Sequence, residues 1–118
     1  MQQQKACRRT SQVERAIRRI GKKHRNVDAD IPALERLLQA ERKENLQAAR
    51  VQGFSALEVW KGRAINRDIQ RGKSAGYRVW WLETDDEFVL IYVYTHQDEG
   101  DEQGIRQEVG GRLSANGY

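Results

Sequence analysis

Lys61 and Arg63 stand two residues apart, and Arg67, Arg71, Lys73 and Arg78 follow within the same short stretch. On an extended strand, residues at i and i+2 point to one face, so Lys61 and Arg63 are placed side by side. A protein interior does not hold such a set without paired carboxylates, and between positions 59 and 79 the chain offers only Asp68. The counter-charge is therefore expected from outside, and phosphate is the anion that best fits several clustered cations. Gly72, Ser74, Ala75 and Gly76 keep the intervening loop slim, which lets a phosphodiester approach the backbone closely. The Gly-Lys-Ser within this loop is not a P-loop, because the earlier glycine of that motif is missing and no helical pattern follows.

The elements that must position these residues are legible in outline. In "SQVERAIRRIGKKH", Val13, Ala16, Ile17 and Ile20 share one helical face, with Ser11 as the expected cap and Gly21 at the end. "DADIPALERLLQAERKE" predicts a second helix, capped by Asp30, with Pro32 in its first turn and Ile31, Leu34, Leu37 and Leu38 as its apolar face. The short "RNVD" connection predicts an antiparallel helix hairpin. "LEVWKGRAI" (57–65), "YRVWWLE" (77–83) and "EFVLIYVYT" (87–95) read as strands, the last two joined by "TDD" as a hairpin. Alternation assigns Phe88, Leu90, Tyr92 and Tyr94 to one face of the last strand and Val89, Ile91 and Val93 to the other. "KACRR" is a candidate edge strand. "IRQEVGGRL" predicts a short helix weakened by Gly110 and Gly111, and "SANGY" (114–118) a frayed tail. The expected class is α+β: a helix hairpin on a small antiparallel sheet of 3–4 strands, as one domain over 1–118 with its core within about 5–110.

Composition agrees with one folded unit and narrows its chemistry. The 118 residues are 38% hydrophobic and 32% charged, with 3 Trp and 4 Tyr. Residues 1–78 hold 19 Lys and Arg against 8 Asp and Glu, and residues 79–118 hold 2 against 9, so the net charge of +4 conceals a dipole. A basic segment of that density attracts polyanions by counterion release, and Arg18, Arg19, Lys22 and Lys23 join Arg67 and Arg71 as candidate nucleic-acid contacts. The apolar run "FVLIYVY" is far shorter than the roughly 20 residues of a membrane span, and "MQQQKACRR" does not read as a secretion signal, so a cytoplasmic protein without membrane contact is expected. One Cys and two His supply no zinc set, and neither a metal nor a cofactor is expected.

The run from "LEVWKGRAINRDIQRGKSAGYRVWWL" through "FVLIYVYTHQDEGD", with the preceding helices and their "KKHRNVDADI" connection, resembles the RelE/ParE toxin superfamily over about residues 5–110. The resemblance implies a small antiparallel sheet backed by two N-terminal helices, and a toxin of a type II toxin-antitoxin system with a neutralising antitoxin as partner. RelE-like members are mRNA interferases, metal-independent endoribonucleases that cut messenger RNA at the ribosome by driving a 2′-hydroxyl onto the adjacent phosphate. Such a cut needs a base, cations on the phosphate and an acid for the leaving oxygen. Lys61 and Arg63 match the cation pair of the family's second strand and Arg78 the arginine of its Gly-Tyr-Arg segment, with Lys73 as a further clamp. Lys61, in a crowd of cations, is the candidate base or electrostatic activator. His96, just after the last strand, is the candidate proton carrier.

The chain departs from the pattern after the last strand. Where relatives carry a tyrosine or a second arginine, "THQDEGDEQGIRQ" holds four carboxylates and only Arg106, and Tyr94 is expected to pack against Tyr92. The resemblance therefore leaves two alternatives: a ParE-like inhibitor of DNA gyrase that cleaves nothing, and a degenerate toxin that only binds its partner. Ribosomal RNA would meet the basic "RRIGKKHR" segment. Trp60, Trp80 and Trp81 are read as core or as partner anchors.

Overall fold

The computed structural model describes residues 4–68 and 76–118. In chain order these form β1 (Ala6–Arg9), α1 (Ser11–Gly21), α2 (Val27–Gln39), a 3-10 turn (Lys43–Leu46), β2 (Ala49–Val51), β3 (Glu58–Ala64), β4 (Tyr77–Glu83), β5 (Glu87–Tyr94), a second 3-10 turn (His96–Asp98) and α3 (Glu102–Ala115). The class is α+β, but the sheet corrects the expected 3–4 antiparallel strands. It has five strands in the order β1-β5-β4-β3-β2, and it is mixed because β1 runs parallel to β5. The strand at Ala49–Val51 is three residues long and carries no readable alternation, which is why patterning missed it.

Both helix starts differ from the sequence reading. Thr10, not Ser11, caps α1, its hydroxyl accepting from the Val13 amide at 3.2 Å. The second helix begins at Val27, so Asp30 and Pro32 lie inside it and Asp30 is buried. A proline at that depth removes one i→i−4 hydrogen bond. The carboxylate of Asp30 turns instead to the chain beyond β3, where it accepts from the Arg67 amide at 3.0 Å and the Arg67 Nε at 2.5 Å.

The sheet is apolar on both faces. Val13, Ile17 and Ile20 of α1, with Ile31, Leu34 and Leu38 of α2, share one cluster with Tyr77, Val79, Trp81, Phe88, Leu90 and Val93. On the other face Val59, Trp80, Leu82, Val89, Ile91 and Tyr94 meet Ile105, Val109 and Leu113 of α3. These three recur every fourth residue, so α3 lays a narrow stripe on the sheet despite Gly110 and Gly111. The short final helix expected from sequence is thus 14 residues long and packs on the second face of the sheet. Nor does the tail splay away: the Tyr118 amide donates to the Leu113 carbonyl at 2.9 Å, and its hydroxyl accepts from Arg8 at 2.7 Å.

A register shift between Trp80 and Trp81 decides what β5 presents. Trp81 lies opposite Leu90, but Trp80 lies opposite Tyr92, so β5 carries one extra residue at Ile91. A bulge of this kind resets the two-residue alternation. Phe88, Leu90 and Val93 consequently face α1 and α2, while Val89, Ile91, Tyr92 and Tyr94 face α3. The single alternation expected along β5 is corrected at this point.

Candidate functional site

Two antiparallel strands bring the central cations together. Lys61 lies opposite Trp80 and Arg63 opposite Arg78 across β3 and β4, all on the α3 face. Gly62 sits between the two cations, on the α1/α2 side. A Cβ there would stand 2.8 Å from the Leu46 carbonyl oxygen and 3.1 Å from the Trp81 ring, so the strand lies this close only because the residue is glycine. Arg78 is in turn opposite Tyr94, the position that the bulge delivers to this face.

Around these residues is a polar cavity of about 230 Å³, lined by Lys61, Arg63, Arg78, Trp80, Tyr94 and the acids Glu99 and Glu102. Arg78 is its buried anchor, with a side chain only 6% exposed. Its Nε donates to Glu99 Oε1 at 3.0 Å, Nη1 to the Gly76 carbonyl at 3.1 Å, and Nη2 to His96 Nδ1 at 2.9 Å. Because a guanidinium only donates, His96 Nδ1 accepts here, and the imidazole proton sits on Nε2. Lys61 Nζ lies 3.3 Å from Glu102 Oε1 and 5.6 Å above the Trp80 ring. Lys61 thus has a carboxylate beside it as well as the cations of the cluster. Arg63 is exposed and has no ion-pair partner among the described residues.

Tyr94 is both packed and placed. Its ring is 4.6 Å from that of Tyr92, as expected, yet its hydroxyl accepts from Trp80 Nε1 at 3.2 Å and lines the cavity. Burial first, and nearby Glu99 after it, push the phenol above its ordinary value, so Tyr94 enters any reaction as a neutral hydroxyl. Trp80 and Trp81 are buried in the two cores, and Trp60 stacks on Trp81 at 6.4 Å, half-buried. Cys7 lies on β1 at the far edge of the sheet, where burial first, then the Glu35 charge, pushes its thiol up to about 12, so it stays protonated near neutral pH.

The other expected contacts are scattered. Arg67 is tied to Asp30 of α2 and lines a separate groove with Ala33, Leu37 and Ile65. Arg18, Arg19, Lys22 and Lys23 are exposed along and just beyond α1, on the helix layer opposite the cavity. Lys73 and Arg71 fall outside the described residues. Arg106 does not reach the cavity; its guanidinium lies over Phe54 at 5.2 Å and donates to the Gln52 carbonyl.

Sequence reasoning missed the pairing of the acids with these cations. Glu99 and Glu102 stand 21 and 41 residues beyond the cations they meet, so a window from 59 to 79 could not show them. The four carboxylates of "THQDEGDEQGIRQ" were visible in the sequence, but not which cations they would meet. Among the described residues no group of His, Cys, Asp and Glu is arranged to hold a metal ion, and no helix is long and apolar enough to cross a membrane. Compared with protein families, curated proteins and solved structures, the chain matches none.

Proposed function

We propose that this chain is the RelE-like toxin of a type II toxin-antitoxin system, an endoribonuclease that cleaves mRNA at the ribosome by 2′-hydroxyl attack on the adjacent phosphate. The observation that carries the reading is the convergence of Lys61, Arg63 and Arg78 on one polar cavity beside Tyr94 and His96. In this reading α1 and α2 form the helix hairpin that backs a RelE-like sheet. The protein acts in the cytoplasm, and an antitoxin is its neutralising partner.

The roles follow from placement. Arg78, buried and oriented through three hydrogen-bond directions, is positioned to hold the scissile phosphate as charge builds on it. Lys61 and Arg63, neighbours on β3, neutralise the flanking phosphates. His96 Nδ1 is held by Arg78, leaving Nε2 as the imidazole's exchangeable proton. Tyr94 supplies a neutral hydroxyl where the relatives' terminal tyrosine is missing. The exposed cations of α1 reach for ribosomal RNA from the opposite layer.

The test is induction of the wild-type chain and a Lys61→Ala, Arg78→Ala double variant in a bacterial host, with primer extension on an abundant translated message. Growth arrest with cuts inside translated codons, both lost in the variant, supports the interferase. Arrest with intact messages overturns it in favour of a gyrase-directed toxin. No arrest at all leaves a chain that only binds its partner.

A further inference from the structure

The cations of the cavity already hold two anions, and both belong to the chain itself. Glu99 gives a carboxylate to Arg78 at 3.0 Å and Glu102 gives one to Lys61 at 3.3 Å, while Arg63 beside them has none among the described residues. Glu99 lies on the stretch between β5 and α3, and Glu102 is the first residue of α3. The chain is exposed from His96 to Gly104, with Thr95 bonded to Asp98 before Glu99 and the Asp101 cap of α3 before Glu102. Between them, Gly100 has no atom within 4 Å of where a side chain would begin. The Glu99 side chain is 35% exposed and belongs to neither hydrophobic cluster, so its contact with Arg78 can open without unpacking the core.

Resting on the interferase reading, we propose that Glu99 and Glu102 form a built-in anionic lid: they occupy the positions of two successive RNA phosphates, and substrate enters by displacing them. A tethered carboxylate competes at an effective concentration in the millimolar range or above. A single free phosphate, exchanging one contact for one, gains little against it. A strand of linked phosphates engages Lys61, Arg63 and Arg78 together, and so includes Arg63, which the two acids leave uncovered. The lid thus selects a polyanion over mononucleotides, and it lowers affinity for stray RNA until a larger surface, such as the exposed α1 cations, contributes to the same encounter.

The experiment compares three full-length proteins for binding to a fluorescein-labelled, 2′-O-methyl single-stranded RNA, which cannot be cut by internal attack, followed by anisotropy. They are the wild type, Glu99→Gln with Glu102→Gln, and Asp85→Asn with Asp86→Asn as a charge-matched control in the β4–β5 turn. The lid predicts that the Glu99/Glu102 variant binds about tenfold tighter than the control, against which equal net charge has been cancelled. Equal affinity in the two variants, or weaker binding without the two acids, overturns it. Glu102→Gln alone, which alters only an exposed pair, repeats the comparison if the double variant does not fold. The outcomes separate from those of the function itself: tighter binding with no message cleavage in the host keeps the lid and removes the nuclease, while cleavage without tighter binding does the reverse.

Discussion

Arg63 and Arg78 face one another directly across the β3–β4 ladder, two like charges in register on the same side of the sheet. Only Arg78 has a carboxylate against it; Arg63 has none among the described residues. A like-charge cross-strand pair works against the sheet, so the arrangement is held for something other than stability.

Arg63→Thr is therefore expected to stabilise the fold by about 0.2–1 kcal/mol while weakening RNA binding. Denaturant unfolding checks the first part. Salt titration of RNA affinity checks the second, with the slope of log K against log salt smaller by about one phosphate contact. A variant that loses both stability and affinity would mean that Arg63 is structural.

Tyr94→Phe strips the buried Trp80 indole of its acceptor. The expected cost is about 1–3 kcal/mol of stability, read from the denaturant midpoint at unchanged slope. If the hydroxyl also serves the reaction, cleavage falls further than the loss of folded protein accounts for, and a stabilised background keeps the two effects apart.

Gly62→Ala places a methyl group 2.8 Å from a backbone oxygen and 3.1 Å from the Trp81 ring. The carbonyl is fixed by the turn that carries Leu46, so β3 must shift, at about 1–3 kcal/mol. Because Gly62 separates Lys61 from Arg63, the same shift moves both cations. RNA affinity is expected to drop more than it does for a core substitution of equal cost elsewhere.

One contribution to acid stability lies away from the cavity. Burial alone would raise the Glu83 carboxyl, but hydrogen bonds from Lys43 and Lys5 outweigh it and hold the group below its ordinary value. A depressed folded-state pKa means that the folded chain binds fewer protons than the unfolded one. The stability it contributes is complete above the ordinary glutamate value of about 4.3 and is lost as pH falls through the folded value. Glu83→Gln should flatten the stability profile in that window and leave the slope nearer neutrality unchanged, as thermal melts across a pH series would show.

What could be read ahead of the structure was local. Helical spacing marked Val13, Ile17 and Ile20, and the two-residue step placed Lys61 beside Arg63. The "TDD" hairpin also stands, closed by the Thr84 amide on the Glu87 carbonyl at 2.9 Å. What escaped was whatever depends on residues far apart in the chain or on strands too short to show a period. The three residues of β2 have no pattern to find. The bulge at Ile91 is invisible in an unbroken apolar run, yet it alone turns Tyr94 toward Arg78. Asp30 looked like a helix cap because its partner, the backbone of Arg67, lies 37 residues on.

The parallel pairing of β1 with β5 has a consequence for how the chain is made. Ala6 sits opposite Glu87, so β1 waits for the much later β5 before this pairing can form. Pairings between such distant segments form late and slowly. Glu99 and Glu102 are made later still, after the strands that carry Lys61, Arg63 and Arg78. During synthesis the growing chain thus passes through a stage with its basic segment complete, its edge strand unpaired and its acids not yet translated. Polypeptides released at that stage have a cation cluster with neither of its own two counter-ions, and they belong to the products most prone to misassembly or to capture by the nearest RNA.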